Sequence, residues 1–462
     1  MSTRIASAPA RKITAAQAAA LVKSGFWLDF GGTLSQPDVF DKAVAARVHE
    51  LSNVGFRSSL AAKPRAVLEA DPDGRHFHWF AWHFSAYERK KADAGICFNI
   101  PPNLGEIDDY YRRFIDPIDI VAIKVRPAGA DGYFNFGPTN GWLRTLVERA
   151  KILIVETSTA VPYVFGKDNG VHLSEVDYII EGDNEPLPEL KSPPISDIDR
   201  AIARRIASEV EDGACLQIGI GGMPNAVCSL LLDAGAKDLG VHTEMLTDGL
   251  IELYQAGIIT GARKQLDPGK VVFTFGFGTQ SMYDAIDHNP DMLCCGTEYT
   301  NLPHIIMQND RVFAINSTTQ MDLQGQAASE SDGHRHISGT GGQLQYARGA
   351  YASKGGKSFM CLSSVFEKKG IRKSRIVLDL TPGNIVTTPR SDIMYVVTEY
   401  GIANLKGKSV PERARAMISL AHPDFREELE RQAYENRLIP RAIYVAKKSE
   451  PQKSERGIRL VS

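Results

Sequence analysis

The chain of 462 residues is long enough for two or three domains, and its 43% apolar and 23% charged residues belong to a folded globular protein, not a disordered one. A formal net charge of −2 lacks the basic excess of a nucleic-acid footprint, and no run of about eighteen or more apolar residues is available to span a membrane. The six cysteines form no C-x-x-C pair and several stand in apolar runs, the pattern of reduced, buried thiols in a cytoplasmic protein.

Along the chain, Arg4, Arg11, Lys12 and Lys23 precede the first acidic residue, Asp29, a mildly transit-peptide-like bias. The stretch 13–22 reads better as an ordinary first helix capped by Thr14. Val39, Ala43, Val44 and Val48 recur at helical spacing behind Pro37, as do Ala226, Val227, Leu230 and Leu231 behind Pro224. Short apolar runs predict strands over 120–125, 152–156, 215–220, 271–275, 311–315 and 393–397. Strands alternating with helices predict an α/β fold: two similar open α/β domains with parallel-rich sheets. A proline-rich connector over 184–194 divides a domain at 1–190 from one at 195–445, and leaves a polar tail at 446–462.

The halves read as copies. Gly25 to Gly32, then Pro37, then Gly55 repeats as Gly213 to Gly219, then Pro224, then Gly240. Counting four residues on from Gly55 and Gly240 reaches Ser59 in one half and Glu244 in the other. One half therefore keeps a reactive carboxylate. The other becomes scaffold and substrate wall, with Gly31, Gly32 and 53–60 facing the nucleophile if the copies pack face to face.

Gly219-Ile220-Gly221-Gly222-Met223 ends a strand and opens a helix. Glycines allow close backbone approach, and the helix start offers N–H groups to an anion or developing oxyanion. The same stretch reads equally as a tight strand–helix turn, since it is neither a Walker loop nor a full dinucleotide motif. Glu244 follows the next strand, beside that loop. His242 and Asp248 are alternative acids or bases, ranked below it. A second cluster, Ser338-Gly339-Thr340-Gly341-Gly342-Gln343, fits phosphate or pantetheine contact or a plain flexible loop. Asp332, His334 and His336 lack a further ligand at motif spacing, so no metal site is expected. Asn301 and Glu399 end short apolar runs, where open α/β sheets place functional groups.

At these residues the chain resembles the acetyl-CoA hydrolase/transferase family of class I CoA-transferases, in particular the butyrate/acetate and 4-hydroxybutyrate CoA-transferases. The markers are LQIGIGGMPNAV at 216–227, GVHTEM at 240–245, SGTGGQ at 338–343, VTEYGIA at 397–403 and AHPDFR at 421–426. The resemblance implies that Glu244 is a covalent nucleophile forming a glutamyl-CoA thioester. It implies that Gln217, Gly219, Ile220, Gly221, Gly222 and Met223 bind CoA and hold the oxyanion, with Gly339, Gly341 and Gly342 as a second glycine element. Asn301 and Glu399 match supporting polar positions. The implied activity is a ping-pong exchange of CoA between a short-chain acyl-CoA and a free carboxylic acid, with an acyl-CoA hydrolase as the alternative and a non-catalytic CoA-binding protein behind it. CoA is then a substrate, no metal or other cofactor is required, and a homodimer or higher oligomer is implied. The chain departs from the family at Gln345-Tyr346, where Asp-Phe is common, and at Asn404-Leu405-Lys406-Gly407, where Asp-Leu-Arg-Gly is common.

Overall fold

The computed structural model describes residues 4–368 and 370–440, so the expected polar tail at 446–462 lies outside the described residues. Eight strands form the first sheet: β1 (Arg11–Lys12), β2 (Trp27–Asp29), β3 (Val54–Ser58), β4 (Phe77–Ala81), β5 (Cys97–Asn99), β6 (Ile120–Val125), β7 (Ile152–Thr157) and β8 (Tyr178–Glu181). Their spatial order is β1-β8-β7-β6-β2-β3-β4-β5, and every neighbouring pair is parallel. Central strand β6 is buried along its whole length, which is why it is apolar throughout but for Lys124, whose buried ammonium pairs with Asp38.

The second sheet uses β9 (Cys215–Ile218), β10 (Gly240–His242), β11 (Val271–Phe273), β12 (Met292–Cys294), β13 (Val312–Ser317), β14 (Lys357–Cys361), β15 (Tyr395–Thr398) and β16 (Gly401–Asn404). Taken from its β16 edge, the order is β16-β15-β14-β13-β9-β10-β11-β12, the order of the first sheet in every strand but the edge one, where β1 precedes the rest of its domain and β16 follows the rest of its own. That edge pair also differs in direction, β15–β16 being antiparallel. Register repeats too: Trp27 pairs with Gly55 as Cys215 pairs with Gly240. Ser59 and Glu244 therefore stand at the same place beyond their strands.

Element boundaries shift slightly. The strands expected at 215–220 and 271–275 stop at Ile218 and Phe273. Beyond them the chain leaves the sheet, and Phe275–Gly276 pairs instead with Met245–Leu246. The first helix spans only Ala15–Ala19, capped by Thr14 and Gln17; Leu21 and Val22 then bond three residues back in a tightened last turn. The connector carries no helix or strand, yet Leu187 is buried in the core of the second domain, and the Tyr283 hydroxyl of the helix Gln280–Ile286 donates to Pro188 O at 2.7 Å. All six cysteines are buried and unpaired. No helix of the described residues is long and apolar enough to cross a membrane.

The domains meet at the C-terminal ends of their strands. Pro138 to Gly141 of the first domain runs along the second: Gly276 donates to Pro138 O at 2.7 Å, Asn140 to Thr274 O at 3.0 Å, and Thr297 to Gly141 O at 2.7 Å. Strand ends of open parallel sheets are where ligand crevices form, and here two such edges face one another.

Candidate active site

Glu244 sits in the turn after β10. Its carbonyl accepts the N–H groups of Thr274 and Phe275, at 3.0 and 3.2 Å, which pins the backbone to the neighbouring strand end. Its side chain looks into a cavity of about 270 Å³ between the domains. Asn301 Nδ2 donates to Glu244 Oε2 at 2.7 Å, and the Gly342 N–H donates to the same carboxylate. The Thr300 hydroxyl donates to Asn301 Oδ1 at 2.7 Å, which turns the amide nitrogen toward Glu244. Burial raises the Glu244 carboxyl to about 7, against the opposing pull of Asn301 and Gly342. Among the described residues no lysine or arginine lines the cavity, and the donors to the carboxylate there are neutral.

Two glycine loops flank this carboxylate. Gly219 and Ile220 line the cavity, and Ile220 is 52% exposed, an apolar side chain standing at the cavity wall. Gly221, at φ +129°, makes the turn that a side chain would resist. Gly222 and Met223 start the helix and pack inward; a Cβ on Gly222 would come within 2.7 Å of Asp199 Oδ2. Gln217 lines the cavity through a paired amide contact with Asn316, at 3.0 Å. From the second loop, Gly339, Gly341 and Gly342 all line the cavity. A Cβ on Gly342 would stand 2.2 Å from both Glu244 Oε2 and Asn301 Nδ2, so only glycine lets the loop approach the carboxylate this closely.

Other candidates lie elsewhere. Glu399 sits in the turn between β15 and β16, outside the cavity lining, and its carboxylate accepts the Ser364 hydroxyl at 2.6 Å and the Ser364 N–H. His242 is fully buried, contacts Thr300 O at 3.1 Å, and is pushed down to about 3 by burial and the nearby Lys264 charge. Asp248 accepts the Thr279 hydroxyl at 2.6 Å. Asp332 and His336 belong to a short hairpin, and among the described residues no group of three or more His, Cys, Asp or Glu side chains is placed to hold a metal ion. Both departures from the family pattern are legible here. Gln345 accepts the Gly105 N–H at 2.9 Å, and Tyr346 lines the cavity while donating to Thr300 O at 2.8 Å. Lys406 lies outside it, over the ring of Tyr351.

The first domain supplies the opposite wall with Gly32, Ser59 and Leu60, part of what the face-to-face reading expects, while Gly31 and 53–58 stay out of the lining; it adds Thr33, Leu104 and Trp142, which the sequence reading missed. It also adds His83, whose ring is kept neutral by burial and by Arg89, pushed down to about 4. The signal for His83 was available one strand further on. Counted in the repeat, it corresponds to Phe275, which lines the cavity from the other side.

Two family profiles match the chain: the acetyl-CoA hydrolase/transferase N-terminal domain over residues 6–190, and the C-terminal domain of the same family over 278–433. A butyryl-CoA:acetate CoA-transferase of Anaerostipes caccae is 43% identical over 419 residues, covering 90% of this chain and 94% of that protein. The crystal structure of RipA from Yersinia pestis is similar at a TM-score of 0.84 and 36% identity, covering 93% of this chain and 98% of that one. The crystal structure of a 4-hydroxybutyrate CoA-transferase from Porphyromonas gingivalis is similar at a TM-score of 0.77 and 33% identity, covering 92% and 98%.

Proposed function

This chain belongs to the acetyl-CoA hydrolase/transferase family, and on that premise we propose that it is an acyl-CoA:carboxylate CoA-transferase in which Glu244 carries the coenzyme as a glutamyl thioester. The observation that carries the reading is one carboxylate, held by neutral donors, between two glycine loops at the meeting of two strand edges. A free carboxylate is a weak nucleophile toward a thioester, and a covalent relay divides the exchange into easier steps. Glu244 Oε1 attacks the acyl carbonyl and the C–S bond breaks, leaving a mixed anhydride and CoA thiolate. The thiolate then attacks the glutamyl carbonyl and the first acid leaves as its carboxylate. During that attack charge gathers on Oε2, the oxygen Asn301 already holds. A second acid runs the same steps backwards. Exposed Ile220 supports an apolar contact for the coenzyme's pantetheine arm beside the reacting carbon. Six unpaired thiols support a cytoplasmic setting, and the family supports a homo-oligomer.

The test is acyl-CoA incubation with borohydride trapping, which reduces a glutamyl thioester at Glu244, alongside acyl exchange measured with and without a second acid. Exchange with little net CoA release is the expected result. Rapid CoA release without exchange would make the chain a hydrolase, and no trapped Glu244 with any acyl-CoA would end the covalent reading. The trapping rate should also depend on pH. Only the ionised carboxylate attacks, and its pKa near 7 means ionisation is lost as pH falls through that value. At subsaturating acyl-CoA the rate is expected to rise about tenfold from pH 6 to pH 8.

The cavity also selects among acids. With no lysine or arginine in its lining among the described residues and with His83 neutral, a second carboxylate on the acid would be buried without a counter-charge. Acetate, propionate, butyrate and 4-hydroxybutyrate are therefore expected to exceed succinate in kcat/KM by roughly a hundredfold or more. An exchange screen across these acids measures this, and succinate within tenfold of propionate would refute it.

A further inference from the structure

Asp108 has no part in the chemistry above, yet it is placed to govern it. The carboxylate is 4% exposed and lies where the two domains touch. Thr145 of its own domain donates to Oδ1 at 2.6 Å, and Thr297 of the other domain donates to Oδ2 at 2.8 Å. Arg112 does not reach it directly. That guanidinium donates to the Thr145 hydroxyl at 2.9 Å and pairs with Glu298 at 2.7 Å. A carboxylate buried between two hydroxyls is costly, and burial pushes it up to about 6. Stability alone would be better served by an apolar contact.

What Asp108 holds is the start of the short helix Thr297–Thr300, whose C-cap is Asn301. Asn301 N–H bonds back to Thr297 O at 2.9 Å, so the helix is one rigid turn between Asp108 at one end and Glu244 at the other. The same first-domain segment touches the site twice more. Gly105 packs on Asn301 so closely that a Cβ there would stand 3.0 Å from Asn301 Cβ, and Leu104 N–H donates to Gly341 O at 3.1 Å.

We infer that Asp108 is a positioning residue: through Thr297 it fixes the turn that presents the Asn301 amide to Glu244, so that the first domain aligns the nucleophile carried by the second. The inference rests on the reading of Glu244 as the thioester-forming group. Misplacing a reacting group by about 1 Å costs up to about a hundredfold, and a lost tether on a packed turn sits below that limit. Asp108→Ala is expected to slow borohydride-trapped thioester formation about tenfold, in kcat and not in KM for acyl-CoA. Asp108→Asn should recover most of the loss, because it keeps one acceptor and turns its amide to the other hydroxyl oxygen.

The deciding measurement repeats the change in an Asn301→Ala background. If Asp108 acts through Asn301, its removal there should cost less than twofold. An equal loss in both backgrounds, or no loss in the parent, overturns the inference. Should Asp108→Ala fail to fold, Thr297→Val removes the same bond from the other side and is read identically. A parent protein that traps no label would overturn the Glu244 reading and this one with it. A parent that traps label while Asp108→Ala traps it as fast would overturn this one alone.

Discussion

Glu244→Ala is expected to abolish CoA exchange, with a loss on the order of 10⁴-fold or more, while acyl-CoA binding stays within a few fold of the parent. On the proposed mechanism the side chain removed is the one that forms the covalent bond, and among the described residues no other carboxylate lines the cavity to replace it. Binding should survive because Gly219 and Ile220 are held by the strand–helix turn and not by Glu244. Removing a carboxylate that burial has raised to about 7 also removes an unfavourable ionisation, so the variant should be no less stable than the parent near pH 8. Equilibrium binding, thermal melting and exchange assays on one preparation check all three. Retained exchange would end the proposal.

Gly342→Ala should be nearly as damaging for a different reason. The backbone there is φ −95°, ψ 4°, which alanine adopts without strain, so the fold has no objection to the methyl group. The objection comes from the site, where that methyl would stand 2.2 Å from Glu244 Oε2 and from Asn301 Nδ2. Carboxylate and amide must part, and the hydrogen bond that holds Oε2 is lost. A fall in kcat of about 10²–10³-fold is expected, the usual cost of losing an oxyanion donor. Gly341→Ala is the internal contrast. At φ +58° it strains the backbone by about 1–2 kcal/mol, but its methyl would lie 3.7 Å from Glu244 Oε1, an ordinary contact. It should lower the melting temperature more and the turnover less. The reverse ranking would mean that the second glycine loop does not abut the nucleophile.

The parts of the site that were legible are those with a local signature. A glycine turn after an apolar strand, with a carboxylate after the next strand, is visible within about thirty residues because backbone geometry alone demands those residue types. The internal repeat extended that reach, since equal register in two sheets puts Ser59 and Glu244 at equivalent positions. Glu399 shows the limit. It ends an apolar run like the others, but the antiparallel β15–β16 hairpin aims its carboxylate at Ser364. No spacing announces that a final strand reverses direction.

By itself the sequence determined the α/β architecture, the duplication, both glycine loops and the place of the carboxylate beside them, because each is a matter of local backbone requirement and of apolar periodicity; the nucleophile role proposed for Glu244 came from the family resemblance. Tertiary structure alone decided how the carboxylate is held and how its pKa is set. Asn301 lies 57 residues from Glu244, Thr297 lies 189 from Asp108, and Gln345 lies 240 from Gly105. Such pairs are joined by the facing of two domain edges, and burial and hydrogen bonding act through space without regard to order along the chain.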